Sequence, residues 1–366
     1  MRPFALERYL SKHEFSVKHV ACASDPDTLR VEELLAFDPT AKDRLLGLSL
    51  GYTEAKGAPA LRAAIAKLYV GIEADDVLVH VGAQEPIATF FTSLLEPGDH
   101  VIALTPTYQS LTSVAETLGA TVSRWDAREA DGWQPDPSQL EALVTPKTKV
   151  LVINTPQNPT GGLLTRDRFD AACAFAAKHG LWLLGDEVYR GLEHGGPQLP
   201  AMAEVSERGV SLGAMAKVYG LSGLRIGWAV CRDRSRLAAM EAAKDFMSIC
   251  AAGPSEMLST LALQHASVLR ERTLATVRSN LGLIDGLLEL FPQHLSWTRP
   301  LAGTTGLLRV RREPATLWSE RLLNEAGVLF APSVLFDWPD THVRVGLGRK
   351  SLGEAMGVLS TWLERQ

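Results

Sequence analysis

Cysteine is scarce in this chain: Cys22, Cys173, Cys231 and Cys250 stand far apart, with no CxxC pair among them. That spacing suggests neither a disulfide framework nor a zinc site, so no metal is expected and a reducing cytoplasm is the expected compartment. No apolar run reaches membrane-spanning length, and the opening stretch from Met1 to Leu10 is charged throughout, without the apolar centre of a signal peptide. Membrane is therefore not an expected partner. Positive charge is not in excess either, with 37 Lys and Arg against 42 Asp and Glu and a net charge of -5. Nucleic acid, which calls for a basic face, is not expected, and a small molecule is. Internal repeats and low-complexity segments are missing as well. What remains is ordinary for a globular protein: 366 residues, 46% hydrophobic and 22% charged, enough for a large core and two domains.

Seven short apolar runs read as strands: Val77 to Val81, Val101 to Leu104, Thr121 to Trp125, Val150 to Ile153, Leu181 to Leu184, Val210 to Leu212 and Ile226 to Cys231. Amphipathic helical patterns separate many of them. Such alternation predicts an α/β fold, a mainly parallel seven-stranded sheet covered on both faces. Ligands of these sheets gather beyond the C-terminal ends of the strands, which is where the informative polar residues fall.

Gly213 to Trp228 is the centre of the pattern, with Lys217 among small residues and Arg225 eight positions later. A lysine amine that is desolvated or set near another cation becomes a nucleophile able to form a Schiff base with an aldehyde. Gly82-Ala83-Gln84 follows a strand and opens a helix, where backbone N–H groups and the helix dipole suit a phosphate; a plain glycine turn is the alternative. Tyr108, aimed by Pro106, could stack on a flat ligand or cap the core, and the same two readings apply to Tyr52 in its glycine-punctuated loop. In Asn154 to Gly161, two prolines hold the Asn158 amide on a rigid turn. Asp186 ends a buried apolar strand and requires a cation, such as a protonated ring nitrogen, unless it is a helix N-cap; Tyr189 lies three residues on. Arg344, on an apolar strand near the C-terminus, suits a carboxylate or an internal ion pair.

The order Tyr52, Gly82-Ala83-Gln84, Tyr108, Asn158-Pro-Thr-Gly161, Asp186 and Tyr189, Lys217, Arg225, Arg344 resembles the fold-type I enzymes that use pyridoxal 5'-phosphate (PLP), specifically the class I/II aminotransferases, over nearly the whole chain. The resemblance implies a PLP-binding domain over residues 45–244, an N-terminal arm over 1–44 that joins the small α+β domain, and a connecting helix and small C-terminal domain over 245–366, with one long connecting helix expected from about Ala238 to Arg272. Lys217 would carry the cofactor as a Schiff base and move the proton at the substrate's Cα. Asp186 would hold the ring nitrogen, Asn158 and Tyr189 the ring oxygen, and Tyr108 the ring face. Gly82, Ala83, Gln84 and Arg225 would bind the phosphate, with Tyr52 reaching it from the second subunit of a homodimer with shared active sites. Arg344, with Asn158, would hold the carboxylate of the amino acid or 2-oxo acid.

Two features depart from the family pattern. Ala214 and Ala216 stand where serines usually precede the lysine, leaving Ser211 or Ser222 as candidates to supply a phosphate-binding hydroxyl. The arm, Lys12-His-Glu14-Phe15 and then Ala23-Ser24-Asp25, resembles PLP enzymes that act on arginine, such as capreomycidine synthase and related arginine oxidases. There Glu14 could meet a cationic side chain, or it is a solvated surface glutamate. Aminotransfer is the leading reading; a lyase, cyclase or oxidase acting on an amino acid such as arginine is the alternative. A non-enzymatic regulatory relative is disfavoured because Lys217, Asp186 and Arg225 are all present.

Overall fold

The computed structural model describes residues 2–366. An N-terminal arm supplies the helix Ala5–His13 and a two-residue strand, β1 (His19–Val20). Seven strands then build the large sheet: β2 (Val77–His80), β3 (His100–Thr105), β4 (Thr121–Asp126), β5 (Thr148–Asn154), β6 (Trp182–Asp186), β7 (Gly209–Ala214) and β8 (Gly227–Val230). Their order is β2-β8-β7-β6-β5-β3-β4, parallel except for β8, which runs antiparallel to both neighbours. Every expected strand is present to within one or two residues. Val150 to Ile153 is buried throughout, as a central parallel strand covered on both faces requires. The edge strand β4 instead turns Thr121 and Arg124 outward, which discourages pairing with another chain.

The smaller unit is a second sheet made of β9 (Leu295–Trp297), β10 (Thr305–Val310), β12 (Ala331–Pro332) and β13 (His342–Gly346), beside a short strand β11 (Val328–Leu329) that pairs with β1. Helices Ala266–Leu290, Ala315–Ala326 and Leu352–Leu363 cover it, burying Val277, Leu281, Trp318, Leu322 and Leu359 in a common core. The arm is threaded into this unit. Gly346 N–H donates to the Ala21 carbonyl at 2.7 Å, and a Cβ at Gly346 would come within 1.8 Å of the Ala23 oxygen.

One expectation from the sequence fails. In place of a single connecting helix from about Ala238 to Arg272 there are three helices, Arg234–Lys244, Gly253–Gln264 and Ala266–Leu290. After Lys244 the chain cannot continue as helix because Ile249 sits at φ 65°, and Gly253-Pro254 then starts a new helix with proline in its first turn.

Candidate active site

A cavity of about 740 Å³ opens between the C-terminal edge of the large sheet and the arm. Gly82, at φ 70°, turns the chain from β2 into the helix Gln84–Thr92, whose first amides face this space with Ala83 and Gln84 at the wall. A Cβ on Gly82 would lie 2.2 Å from Arg225 Nη2, and one on Gly227 would lie 2.5 Å from the Gly82 carbonyl. Glycine is thus required at both positions for the guanidinium to approach the helix start. Arg225 itself is held by a 2.9 Å bond from Nη1 to the Ser222 carbonyl. Amides at a helix N-terminus beside an arginine form an anion cradle. Of the two serines considered for a replacement hydroxyl, Ser211 is occupied elsewhere, donating to Glu187 at 2.8 Å and accepting from Ala203 N–H at 3.0 Å. Ser222 lines the cavity, as do Ala214 and Ala216.

Asp186 ends β6 inside this cavity and is 5% exposed. Burial pushes its carboxyl up to about 6, against the opposing pull of the Val188 N–H and of Lys217. Among the described residues no cation lies within 4.0 Å of it, and its one hydrogen bond, from Val188 N–H, is 3.4 Å long. The helix N-cap alternative therefore fails, since Asp186 precedes only turn residues. The Tyr189 hydroxyl, equally buried, has no partner. A buried carboxyl with one long hydrogen bond and a buried hydroxyl with none, each costly to bury so, mark where a ligand's polar atoms belong.

Lys217 lies in the loop between β7 and β8, half-buried, with Nζ donating to Ser24 Oγ at 2.8 Å and 6.0 Å from the Tyr189 ring centroid. Asn158 is locked from behind: Asn154 Nδ2 donates to the Asp186 carbonyl at 2.9 Å while its Oδ1 accepts from Asn158 N–H at 2.7 Å. Asn158 Oδ1 accepts in turn from Arg344 Nη1 at 3.2 Å, and Asn158 lines the cavity. Arg344 is 1% exposed, gives its remaining bonds to the Cys22 carbonyl at 2.8 and 3.1 Å, and lies 5.2 Å from the Phe336 ring centroid. Among the described residues its partners are all neutral, so the internal ion pair considered from the sequence is ruled out. Tyr108 lines the cavity too, its hydroxyl donating to Glu7 Oε1 at 2.7 Å, and burial together with Glu7 pushes its ionisation upward.

Glu14 also reaches the cavity, where Arg349 Nη2 contacts it at 3.4 Å and bonds both oxygens of Asp25 at 2.9 Å. Burial opposes ionisation of Asp25, but Lys217 and Arg349 outweigh it and hold its carboxyl below the usual range. Tyr52 is not brought into this cavity within one protomer and is 90% exposed. Reading the sequence missed Glu7, Asn154 and Arg349 as members of the site and left Ser24 and Asp25 without roles. Glu7, Leu10 and Glu14 are spaced i, i+3, i+7 along the first helical segment and so share a face, a signal that could have placed Glu7 beside Glu14.

A profile of the family aminotransferase class I and II matches residues 38–352. The chain is 28% identical over 366 residues to capreomycidine synthase of Streptomyces vinaceus, covering 97% of this chain and 92% of that one. It is 31% identical over 341 residues to an arginine–pyruvate transaminase of Pseudomonas aeruginosa, covering 86% and 83%. Among solved structures, a PLP-dependent aminotransferase from Streptococcus suis superposes with a TM-score of 0.94 at 32% identity, covering 100% of this chain and 98% of that one. The chain belongs to the class I and II aminotransferases, enzymes of fold type I that use PLP to move an amino group between an amino acid and a 2-oxo acid. The residues present fit that cofactor, since the Asp186 carboxyl, without a cation, and the unpartnered Tyr189 hydroxyl suit the polar edge of its ring and the Gly82–Arg225 cradle suits its phosphate.

Proposed function

We propose that this aminotransferase takes an amino acid with a cationic side chain, such as arginine, as its amino donor, and that the cavity residues divide the work as follows. When bound, PLP supplies an aldehyde for attachment to an amine and a ring that withdraws electrons from the substrate's Cα. Lys217 would offer the attaching amine and, when free, would take the Cα proton as general base. The Asp186 carboxylate would accept the ring N–H and keep that nitrogen protonated. Tyr189 Oη and Asn158 Nδ2 would donate to the ring oxygen, Tyr108 would cover the ring face, and the amides of Gly82, Ala83 and Gln84 would hold the phosphate with Arg225. Arg344 binds the α-carboxylate through a planar fork.

Charge distribution in the cavity carries the substrate reading. Arg344 has only neutral partners, Glu14 and Asp25 share the Arg349 guanidinium with Lys217 also acting on Asp25, and Glu7 has only a neutral phenol. A buried pocket lined both by an arginine without a carboxylate and by several carboxylates suits a carboxylate and a cation on one molecule. The names of the two relatives above point the same way.

The exposed Tyr52, in a chain segment next to the exposed Leu46 and Leu50, supports a homodimer in which Tyr52 completes the partner's phosphate site. Residues 45–244 would be the cofactor-holding domain, with 1–44 and 245–366 forming the part that closes over substrate. Buried, unpaired Cys22 and Cys231 support a cytoplasmic protein. An assay of amino donors with pyruvate tests the substrate: kcat/KM for arginine should exceed that for the uncharged norvaline, and Glu14→Gln should lower the arginine value about tenfold. Norvaline used as well as arginine would contradict it. Similarity to capreomycidine synthase over 97% of the chain favours a second reading, ring closure of an arginine that carries a leaving group at Cβ, which departs as a guanidine nitrogen takes its place. A cyclic product formed without any 2-oxo acid would establish that instead.

A further inference from the structure

Lys244 closes the helix Arg234–Lys244 and is 0% exposed, yet among the described residues no carboxylate lies within 4.0 Å of its ammonium. Burial lowers its proton affinity, with Glu85 foremost among the acidic groups that oppose the shift from a distance. The hydrogen bond it makes goes to a backbone carbonyl, that of Ala55. Burying an ammonium for a neutral acceptor is costly, so the segment it holds should matter. That segment is the strap from Thr53 to Ala58, just beyond Tyr52.

The strap has further anchors. Thr53 Oγ1 donates to the Ala251 carbonyl at 2.7 Å, Val79 N–H donates to the Lys56 carbonyl at 2.9 Å, and Glu256 Oε1 accepts from Ala58 N–H at 3.2 Å. Beside it the chain after Lys244 exposes Phe246, at 93%, with Met247 and Ile249, the last in the left-handed region that a β-branched residue adopts only when its surroundings impose it. A strap fixed at its base, carrying an exposed tyrosine and flanked by exposed apolar side chains, is built to present that tyrosine to another molecule.

We propose that Lys244 is a positioning residue for the cofactor site of a second copy of this chain, acting by fixing the strap that presents Tyr52. The inference rests on the shared-site dimer proposed above. Lys244 does not line the cavity of its own subunit.

The test uses heterodimers purified through two different affinity tags, with PLP fixed onto Lys217 by borohydride and weighed by mass spectrometry as PLP concentration is varied. In the Lys244→Met homodimer the PLP concentration for half-occupancy should rise about tenfold, the effect of losing one charged hydrogen bond. Paired with a Lys217→Ala subunit, the Lys244→Met subunit should regain the parental value, because its site now receives the strap of a chain with Lys244 intact. Lys244→Gln, which keeps an N–H donor, should stay within about threefold of the parent in the homodimer and carries the test if the methionine variant does not assemble. A homodimer with parental affinity, or a heterodimer no better than the homodimer, overturns the proposal. The same pairing with Tyr52→Ala separates the two ideas: if that heterodimer is not restored either, the shared site itself is at fault, and if it alone is restored, only the role of Lys244 is.

Discussion

In the proposed mechanism Lys217 and Asp186 carry the chemistry, and each can be tested alone. Lys217→Ala leaves no amine to attach the cofactor, so borohydride should fix no PLP to the protein; a variant still labelled would place the reactive lysine elsewhere. For Asp186 the sign of the pH effect follows from burial. Its carboxyl is raised from 3.8 to about 6, so the folded, cofactor-free protein holds that proton more tightly than the unfolded chain does. Stability from this group is complete below 3.8 and is lost as pH rises through about 6. Asp186→Asn should therefore stabilise the cofactor-free protein by roughly 2 kcal/mol at pH 7.5 and hardly at all at pH 4, while weakening PLP binding more than tenfold. Denaturant melts at the two pH values check this. Equal stability of variant and parent at pH 7.5 would mean that the carboxylate is not stranded. Asp186 and Arg344 were legible as site residues because charge on an apolar strand is anomalous in any sequence. Glu7 and Arg349 were not, because a charged residue on a polar surface stretch looks like any solvated one until the fold closes over it.

Among elements, the strands of the large sheet could be read from sequence because a strand buried on both faces must be a continuous apolar run, as Val150 to Ile153 is. The connecting helix could not. Between Asp245 and Ala252 no glycine or proline announces a break, and the left-handed residue there is the β-branched Ile249, which no sequence rule marks. The arm is the element most open to test. Gly346 has space for no side chain against Ala23, so Gly346→Ala should push the segment bearing Ser24 and Asp25 away from Lys217. The expected outcome is a loss of roughly 2 kcal/mol in stability and a raised KM for the amino donor, with PLP affinity kept. An unchanged KM would show that the arm does not shape the substrate side of the cavity.

At the scale of the whole molecule, the edge of the large sheet, the threaded arm and strand β13 of the smaller sheet bring Glu14, Asp25, Asp186, Lys217 and Arg344 around a single cavity. The central claim is that this cavity transfers an amino group from a cationic amino acid. The direct measurement is an absorbance titration of the PLP-loaded protein with arginine, without any 2-oxo acid. The account predicts stoichiometric conversion of the cofactor to its pyridoxamine form with release of one equivalent of the 2-oxo acid of arginine. Continued consumption of arginine with release of ammonia or a cyclised product, and no pyridoxamine form accumulating, would contradict it.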